Sequence, residues 1–265
     1  MSRQILGHSF GRLQSCVAVA LATLPIVASA GLSWDLRRDW SDSANPNGPW
    51  SYNNDNTTLT HIGGSTLPGG ALVSQPGWAS CSSCRGFWFK SSIVPINVDW
   101  KIGDIIVHTQ DQYISPYDHA ANVTWTSPIS GMINIIGNVW MDDYYAARGN
   151  QWNLYIKGIL ASSGQLSGSD AYDRDHPFSL LTGSGGASPF FDVAVSIGDI
   201  VKLEIVRTTF DGFFVAEDLT ISTVAEPRPT PEAATLLLAL FGLSAIIPNF
   251  GRKRQRRPLA DRPIP

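Results

Sequence analysis

The stretch Val201-Lys202-Leu203-Glu204-Ile205-Val206 decides the fold, because apolar residues alternate in it with charged ones. Successive side chains of an extended strand point to opposite faces, so this alternation predicts a strand with one buried and one solvated face. Gly198-Asp199 precedes it as a turn signal, and Phe191–Val195 is a second β-rich run before that turn. We expect the two runs to pair as neighbouring strands.

The same signal recurs along the chain, where short runs rich in β-branched and aromatic residues end at glycine, proline, asparagine or aspartate. The further runs are residues 105–107, 122–125, 132–141, 152–160 and 214–222. No helical periodicity is sustained, and no repeat of fixed period occurs. The sequence therefore predicts an all-β protein whose body, residues 31–225, is a single antiparallel β-sandwich.

The N-terminus has the pattern of an export signal. Arg3 and Arg12 provide positive charge, an apolar run extends from Cys16 to Val27, and small residues follow at Ala28-Ser29-Ala30. We predict a signal helix within residues 1–30, with Ala28 and Ala30 as the residues that signal peptidase reads before cutting. A lipid-modified Cys16 and an uncleaved anchor are the alternatives.

The C-terminus combines a proline-rich spacer, residues 226–232, with an apolar run and a basic end. We predict a transmembrane helix over residues 233–250 and a cytoplasmic tail over 251–265, because basic residues favour the cytoplasmic side. These basic residues are Arg252, Lys253, Arg254, Arg256 and Arg257. The apolar run is short for a span of about 20 residues, and a buried core helix is the alternative. The body then lies outside.

This tail, with Pro231, Glu232 and Ala233 before the apolar run, resembles that of bacterial PEP-CTERM proteins, which are substrates of exosortase-type processing enzymes. Ala233 stands where the motif has its second proline. The resemblance extends into the body at four segments, Asn45–Tyr52, Gly103–His108, Trp125–Gly131 and Gly198-Asp199. It implies a jelly-roll or galactose-binding-like sandwich without assigned activity.

The resemblance also implies a route. The C-terminal helix would hold an inner-membrane intermediate, and cleavage near Pro231-Glu232 would then pass the body to the cell surface or the extracellular space. Permanent anchoring by the same helix is the alternative.

The charge of the body limits its partners. Residues 31–225 contain ten lysines and arginines against nineteen aspartates and glutamates. Such an acidic surface does not suit a phosphate backbone, so we predict no nucleic-acid partner. Neutral sugars or divalent cations fit it better.

Cys81 and Cys84 are the only cysteines of the body, and in an exported protein their close spacing predicts a short-range disulfide. A redox motif or a zinc site are the alternatives.

Asp170, Asp173 and Asp175 bring oxygen ligands together in a loop between residues 167 and 177, which predicts a possible calcium site. The alternative is a solvated loop with no ion, and no other cofactor is expected.

All nine tryptophans lie between Trp34 and Trp152. Exposed aromatic rings beside carboxylates are a common way to bind sugars. We predict a ligand site at the tip of a hairpin joining the 132–141 and 152–160 runs. Its candidate residues are Trp140, Asp142, Asp143, Tyr144, Tyr145 and Trp152. The alternative is that most of these rings belong to the core.

These observations favour an exported, non-enzymatic surface or matrix protein that binds extracellular polysaccharide. No catalytic motif is present among its histidines, serines and carboxylates. A secreted hydrolase acting on glycans and a purely structural matrix subunit are the alternatives.

Overall fold

Antiparallel β-strands in two sheets form the part of the chain that the computed structural model describes, which is residues 31–63, 75–81, 86–93, 99–111, 120–142 and 147–224. In chain order the strands are β1 (Ser33–Asp35), β2 (Trp50–Asn54), β3 (Thr57–Thr58), β4 (Thr60–Ile62), β5 (Gly77–Ala79), β6 (Phe87–Lys90), β7 (Ile105–His108), β8 (Ala121–Thr126), β9 (Gly131–Met141), β10 (Gly149–Ile156), β11 (Ile159–Ser167), β12 (Phe178–Ser179), β13 (Val193–Val195), β14 (Ile200–Arg207) and β15 (Phe214–Thr223). Short 3₁₀ helices at Leu180–Thr182 and Ser188–Phe190 are the helical elements of this part. The prediction of an all-β body is confirmed.

The larger sheet, sheet A, has the strand order β12-β9-β15-β7-β6-β5-β4, with β1 also paired to β15 and β13 to β9. The smaller one, sheet B, has the order β11-β10-β14-β8-β2-β3. The two sheets pack as a β-sandwich, as predicted. All described strands lie in one compact unit that begins at Leu32.

The core lies between the sheets and follows the alternation seen in the sequence. Val201, Leu203 and Ile205 of β14 are buried, and each such side chain stabilises the fold by about 1.5–3 kcal/mol. Most tryptophans are also buried, namely Trp50, Trp78, Trp88, Trp100, Trp125, Trp140 and Trp152. The aromatic load of the chain therefore serves mainly to fill its interior.

The expected pairing of the two runs around Gly198-Asp199 is wrong. β13 pairs with β9 in sheet A, whereas β14 pairs with β8 and β10 in sheet B. The intervening residues cross from one sheet to the other, and they are held there because Ser127 N donates to Asp199 O and Gly198 N donates to Ser127 O. Gly198 has φ +90°, which a side chain would strain.

The predicted hairpin between the 132–141 and 152–160 runs is also wrong, because β9 lies in sheet A and β10 in sheet B. The 152–160 run is itself divided. Lys157 and Gly158 have φ of 53° and 77°, and positive φ at both central residues makes the tight two-residue turn of a hairpin. This turn joins β10 to β11, and the two strands pair along their length.

The first and last described strands are neighbours. β1 pairs with β15, with Ser33 opposite Ser222, and Thr223 N donates to Leu32 O at 2.9 Å. Nearby, Val224 N donates to Met132 O. No helix of the described residues is long and apolar enough to cross a membrane. The predicted signal helix, spacer, transmembrane helix and basic tail lie outside the described residues.

Candidate functional site

The outer face of sheet B carries polar residues in rows that cross the strands. One row consists of Ser51, Thr124, Lys202 and Tyr155, which stand opposite one another on β2, β8, β14 and β10. A second row, one step along the strands, consists of Asn53, Asn122, Glu204 and Asn153. The inward positions between the rows are the apolar core residues, so strand alternation places these polar groups on the outer face. The hydroxyl and charged residues of the rows are partly exposed, whereas Asn53, Asn122 and Asn153 are buried among them.

Hydrogen bonds hold the amides of this face in place. Asn53 Nδ2 donates to Asn122 Oδ1 at 3.4 Å and to Thr124 Oγ1 at 3.3 Å, while Ser51 Oγ donates to Asn53 Oδ1 at 2.9 Å. Asn122 Nδ2 donates to the backbone oxygen of Asp55 at 2.8 Å. Asn53 and Asn122 are only 7% and 1% exposed, so these amides position the partly exposed hydroxyls of Ser51 and Thr124, whose oxygens can bond a ligand.

Lys202, Glu204 and Tyr155 form the charged centre of the face. Lys202 Nζ lies 2.6 Å from Glu204 Oε2 and 4.4 Å from the centre of the Tyr155 ring. Asn153 Nδ2 donates to Glu204 Oε1 at 3.4 Å. Burial, and then the negative charge of Glu204, raise the pKa of Tyr155. The lysine charge is thus balanced by its neighbours, and the tyrosine remains a neutral hydroxyl.

A groove of about 460 Å³ runs over this face. It is lined by Pro46, Ser51, Asn53, Asp55, Asn56, Thr58, Asn122, Thr124, Thr126, Tyr155, Gly158, Ile200 and Lys202. Hydroxyls and amides predominate, with one carboxylate and one ammonium group among the lining residues. Such a lining suits a ligand that presents many hydroxyl groups and little charge.

The sequence did not identify this groove, although its signal is visible in retrospect. In Trp50-Ser51-Tyr52-Asn53 the large rings alternate with small polar residues, and Asn122-Val123-Thr124-Trp125 repeats the pattern on the adjacent strand. The polar positions of both segments point to the same outer face. Only the pairing of β2 with β8 brings them together, and neither segment reveals that pairing.

The predicted aromatic platform is wrong for the residues that the structure describes. Trp140 and Trp152 are 2% and 0% exposed, and Asp142 is 0% exposed. Trp140 packs on the outer side of sheet A with Phe89 and Phe214, whereas Trp152 lies in the sandwich core. Neither ring can offer a face to a sugar at the surface. Asp143, Tyr144 and Tyr145 lie outside the described residues.

The predicted calcium ligands do not form a metal site. No group of three or more potential ligands that could hold a metal occurs among the described residues, which include Asp170, Asp173 and Asp175. Two of the carboxylates instead shape their own loop: Asp170 accepts from the backbone of Ser167 and Tyr172, and Asp173 from that of Asp175 and His176. The hydrogen bonds from His176, backbone first, lower the pKa of Asp173. The solvated-loop interpretation fits these contacts.

Cys81 is disulfide-bonded and follows β5 directly. Cys84 lies outside the described residues, so the pairing of the two remains a prediction. The signal-cleavage residues Ala28 and Ala30, the sorting residues 231–233 and the basic residues 252–257 also lie outside them.

Two of the buried carboxyl groups, both away from the groove, have strongly raised pKa values. Glu217 of β15 faces the sandwich core, is 0% exposed, and has no hydrogen-bond partner for either carboxyl oxygen among the described residues. Burial, and then the charge of Asp218, raise its pKa well above the usual range. Burial, followed by the charges of Asp104 and Asp99, also raises the pKa of Asp142 well above that range. Neither group lines the groove, so neither can act on a ligand there.

No protein-family model matches the chain, and no curated protein matches it. The residues that line the groove of sheet B are therefore the basis for the function proposed below.

Proposed function

We propose that this protein is an exported, non-enzymatic surface or matrix component that binds extracellular polysaccharide in the groove of sheet B. The groove's lining of hydroxyls and amides is the observation that carries the proposal. The N-terminal signal pattern and the PEP-CTERM-like tail support export through an inner-membrane intermediate, with signal peptidase and an exosortase-type enzyme as processing partners. A jelly-roll-like connection of the strands belongs to the same proposal.

The chemistry of sugar binding supports this choice of site. Neighbouring hydroxyls of a sugar both donate and accept hydrogen bonds, and the partly exposed hydroxyls of Ser51 and Thr124 can do the same. Both hydroxyls are held by bonds to the buried amide of Asn53, so little side-chain entropy is lost when a ligand binds. The rows also cross several strands about 4.8 Å apart, which gives an extended polymer repeated contacts.

The arrangement of carboxylates favours binding over hydrolysis. Most glycosidases place two carboxyl groups on either side of the bond that they cleave, one as acid and one as base or nucleophile. Asp55 is the only carboxylate among the described residues that line this groove. Glu204, in the adjacent row, is paired with Lys202 and with Asn153. We therefore assign no catalytic residue.

Binding is tested with the purified body, residues 31–225, on a glycan array and in affinity gels that contain neutral polysaccharides. The double variant Ser51→Ala/Thr124→Val removes two hydroxyls from the groove. Each lost hydrogen bond lowers affinity about fivefold, so we expect retention in the gel to fall by more than tenfold. Release of reducing ends is measured in parallel.

Thr220→Val is the matched control, because Thr220 is a partly buried threonine in a strand of sheet A that bonds to Asp35. It should leave binding unchanged. Product formation by the wild type would contradict the non-enzymatic assignment. Binding that survives the double variant would move the site elsewhere, and the absence of any glycan ligand would leave the structural-subunit alternative.

A further inference from the structure

The outer face of β14 changes from apolar to charged along the groove. Ile200, Lys202 and Glu204 are successive outward positions, about 7 Å apart. Ile200 is 44% exposed and lines one end of the groove beside Gly158, which has no side chain. Two more isoleucines are exposed nearby in the chain: Ile159, the first residue of β11, is 73% exposed, and Ile197, in the turn before β14, is 72% exposed. A ligand that fits must therefore be apolar at one point and hydroxyl-rich along the rest.

A hydroxyl stands directly across from the exposed isoleucine. Thr126 of β8 is exposed, lines the groove and is the register partner of Ile200. The pair places a hydrogen-bond donor and an apolar surface on adjacent strands, about 5 Å apart. An acetyl group has a carbonyl oxygen next to a methyl group, and these are the two features that such a pair can bind.

The charges of the groove oppose an anionic ligand. The ammonium group of Lys202 is already 2.6 Å from the Glu204 carboxylate. Asp55 adds a carboxylate at the other end of the lining, where its Oδ1 accepts from Ala120 N at 2.9 Å. A carboxylated or sulfated sugar would meet more negative than positive charge here.

We infer that the groove binds uncharged polysaccharides that carry acetyl groups, with the acetyl methyl against Ile200 and the acetyl carbonyl bonded to Thr126. The inference rests on the proposed polysaccharide-binding function and narrows its ligand class. Burial of one methyl group strengthens binding about fourfold. The acetylated form of a polysaccharide should therefore bind at least about fourfold more tightly than the unsubstituted form of the same polysaccharide.

The test compares neutral pairs by isothermal titration and affinity gels. Chitohexaose and cellohexaose share a backbone and differ in the acetamido group, and acetylated glucomannan is compared with the same polymer after alkaline de-esterification. We expect the wild type to bind the acetylated member of a pair about fourfold or more tightly. Ile200→Thr, which keeps a β-branched residue in the strand, should reduce that preference to near unity.

Ile136→Thr is the matched control, since Ile136 is an exposed strand isoleucine of β9 in sheet A, 49% exposed. It should retain the full preference. Equal affinity for both members of every pair would overturn the acetyl inference and leave polysaccharide binding intact. A preference that persists in Ile200→Thr would also overturn it, and failure to bind any of these sugars would refute this ligand class.

Discussion

Replacing Glu217 by glutamine should change how the stability of the protein depends on pH. Glu217 is fully buried on β15 and has no hydrogen-bond partner among the described residues. Burial raises its pKa well above the usual value, so the folded protein keeps a proton that the unfolded chain releases. A folded state that binds more protons is favoured at low pH, and its advantage is lost as the pH rises.

The magnitude follows from proton linkage. The effect begins near pH 4.5, the ordinary pKa of a glutamate side chain, and continues up to the raised pKa of the folded state. Within that window, one retained proton lowers the free energy of unfolding by about 1.4 kcal/mol per pH unit. Glutamine has nearly the same shape and does not titrate, so Glu217→Gln should lose this slope and become more stable than the wild type as the pH increases.

Urea denaturation of the body at intervals between about pH 5 and pH 8 measures the difference directly. At a single pH, the difference in the free energy of unfolding between the two proteins also contains the cost of burying an amide. The change of that difference with pH reports the titration of Glu217 alone. Asp192→Asn, at an exposed carboxylate, is the control and should run parallel to the wild type. Parallel curves for Glu217→Gln as well would refute the reasoning.

Two further changes test other parts of the molecule. Asp104 is fully buried and bonds to Arg37 and Arg174 at 2.9 and 2.8 Å. Asp104→Asn should lower the free energy of unfolding by about 2–3 kcal/mol because it breaks both ion pairs. The control Asp211→Asn, which weakens a partly exposed pair with Arg148, should cost less than about 1 kcal/mol in the same denaturation assay, and equal effects would contradict this account. Membrane retention or the size of the secreted product should change when the basic residues of the tail are replaced by neutral ones, namely Arg252, Lys253, Arg254, Arg256 and Arg257. Cell fractionation measures both, and unchanged fractionation would argue against the sorting role.

The parts of the fold that depend on local alternation were predictable. β7, β8, β9, β14 and β15 all occur within about two residues of the runs that predicted them, because a strand with one buried face shows a period of two in the sequence. The early strands β1 to β6 have five residues or fewer, too few for a period of two to stand out in the sequence. The turn at Lys157-Gly158 was missed because neither side of it breaks the β-rich pattern.

The site was not predictable to the same degree, because it depends on which strands pair. Trp140 and Asp142 looked like a surface cluster when β9 and β10 were expected to form a hairpin, but β9 belongs to sheet A and its Trp140 is buried. Asn53 and Asn122 are 69 residues apart in the chain. Their proximity comes from the long-range pairing of β2 with β8, which no local pattern encodes.

The contact between β1 and β15 brings the first and last described strands to one corner of the sandwich. Leu32 and Thr223 bond to each other there, so the strand pairing of the described body is closed within residues 32–224. The crossover from Val195 to Ile200 starts beside that corner, since Val195 pairs with Gly131 next to Met132, which accepts from Val224. The isoleucine end of the groove thus lies at the end of the sandwich that contains Leu32 and Val224, and the hydroxyl- and amide-rich end points away from it.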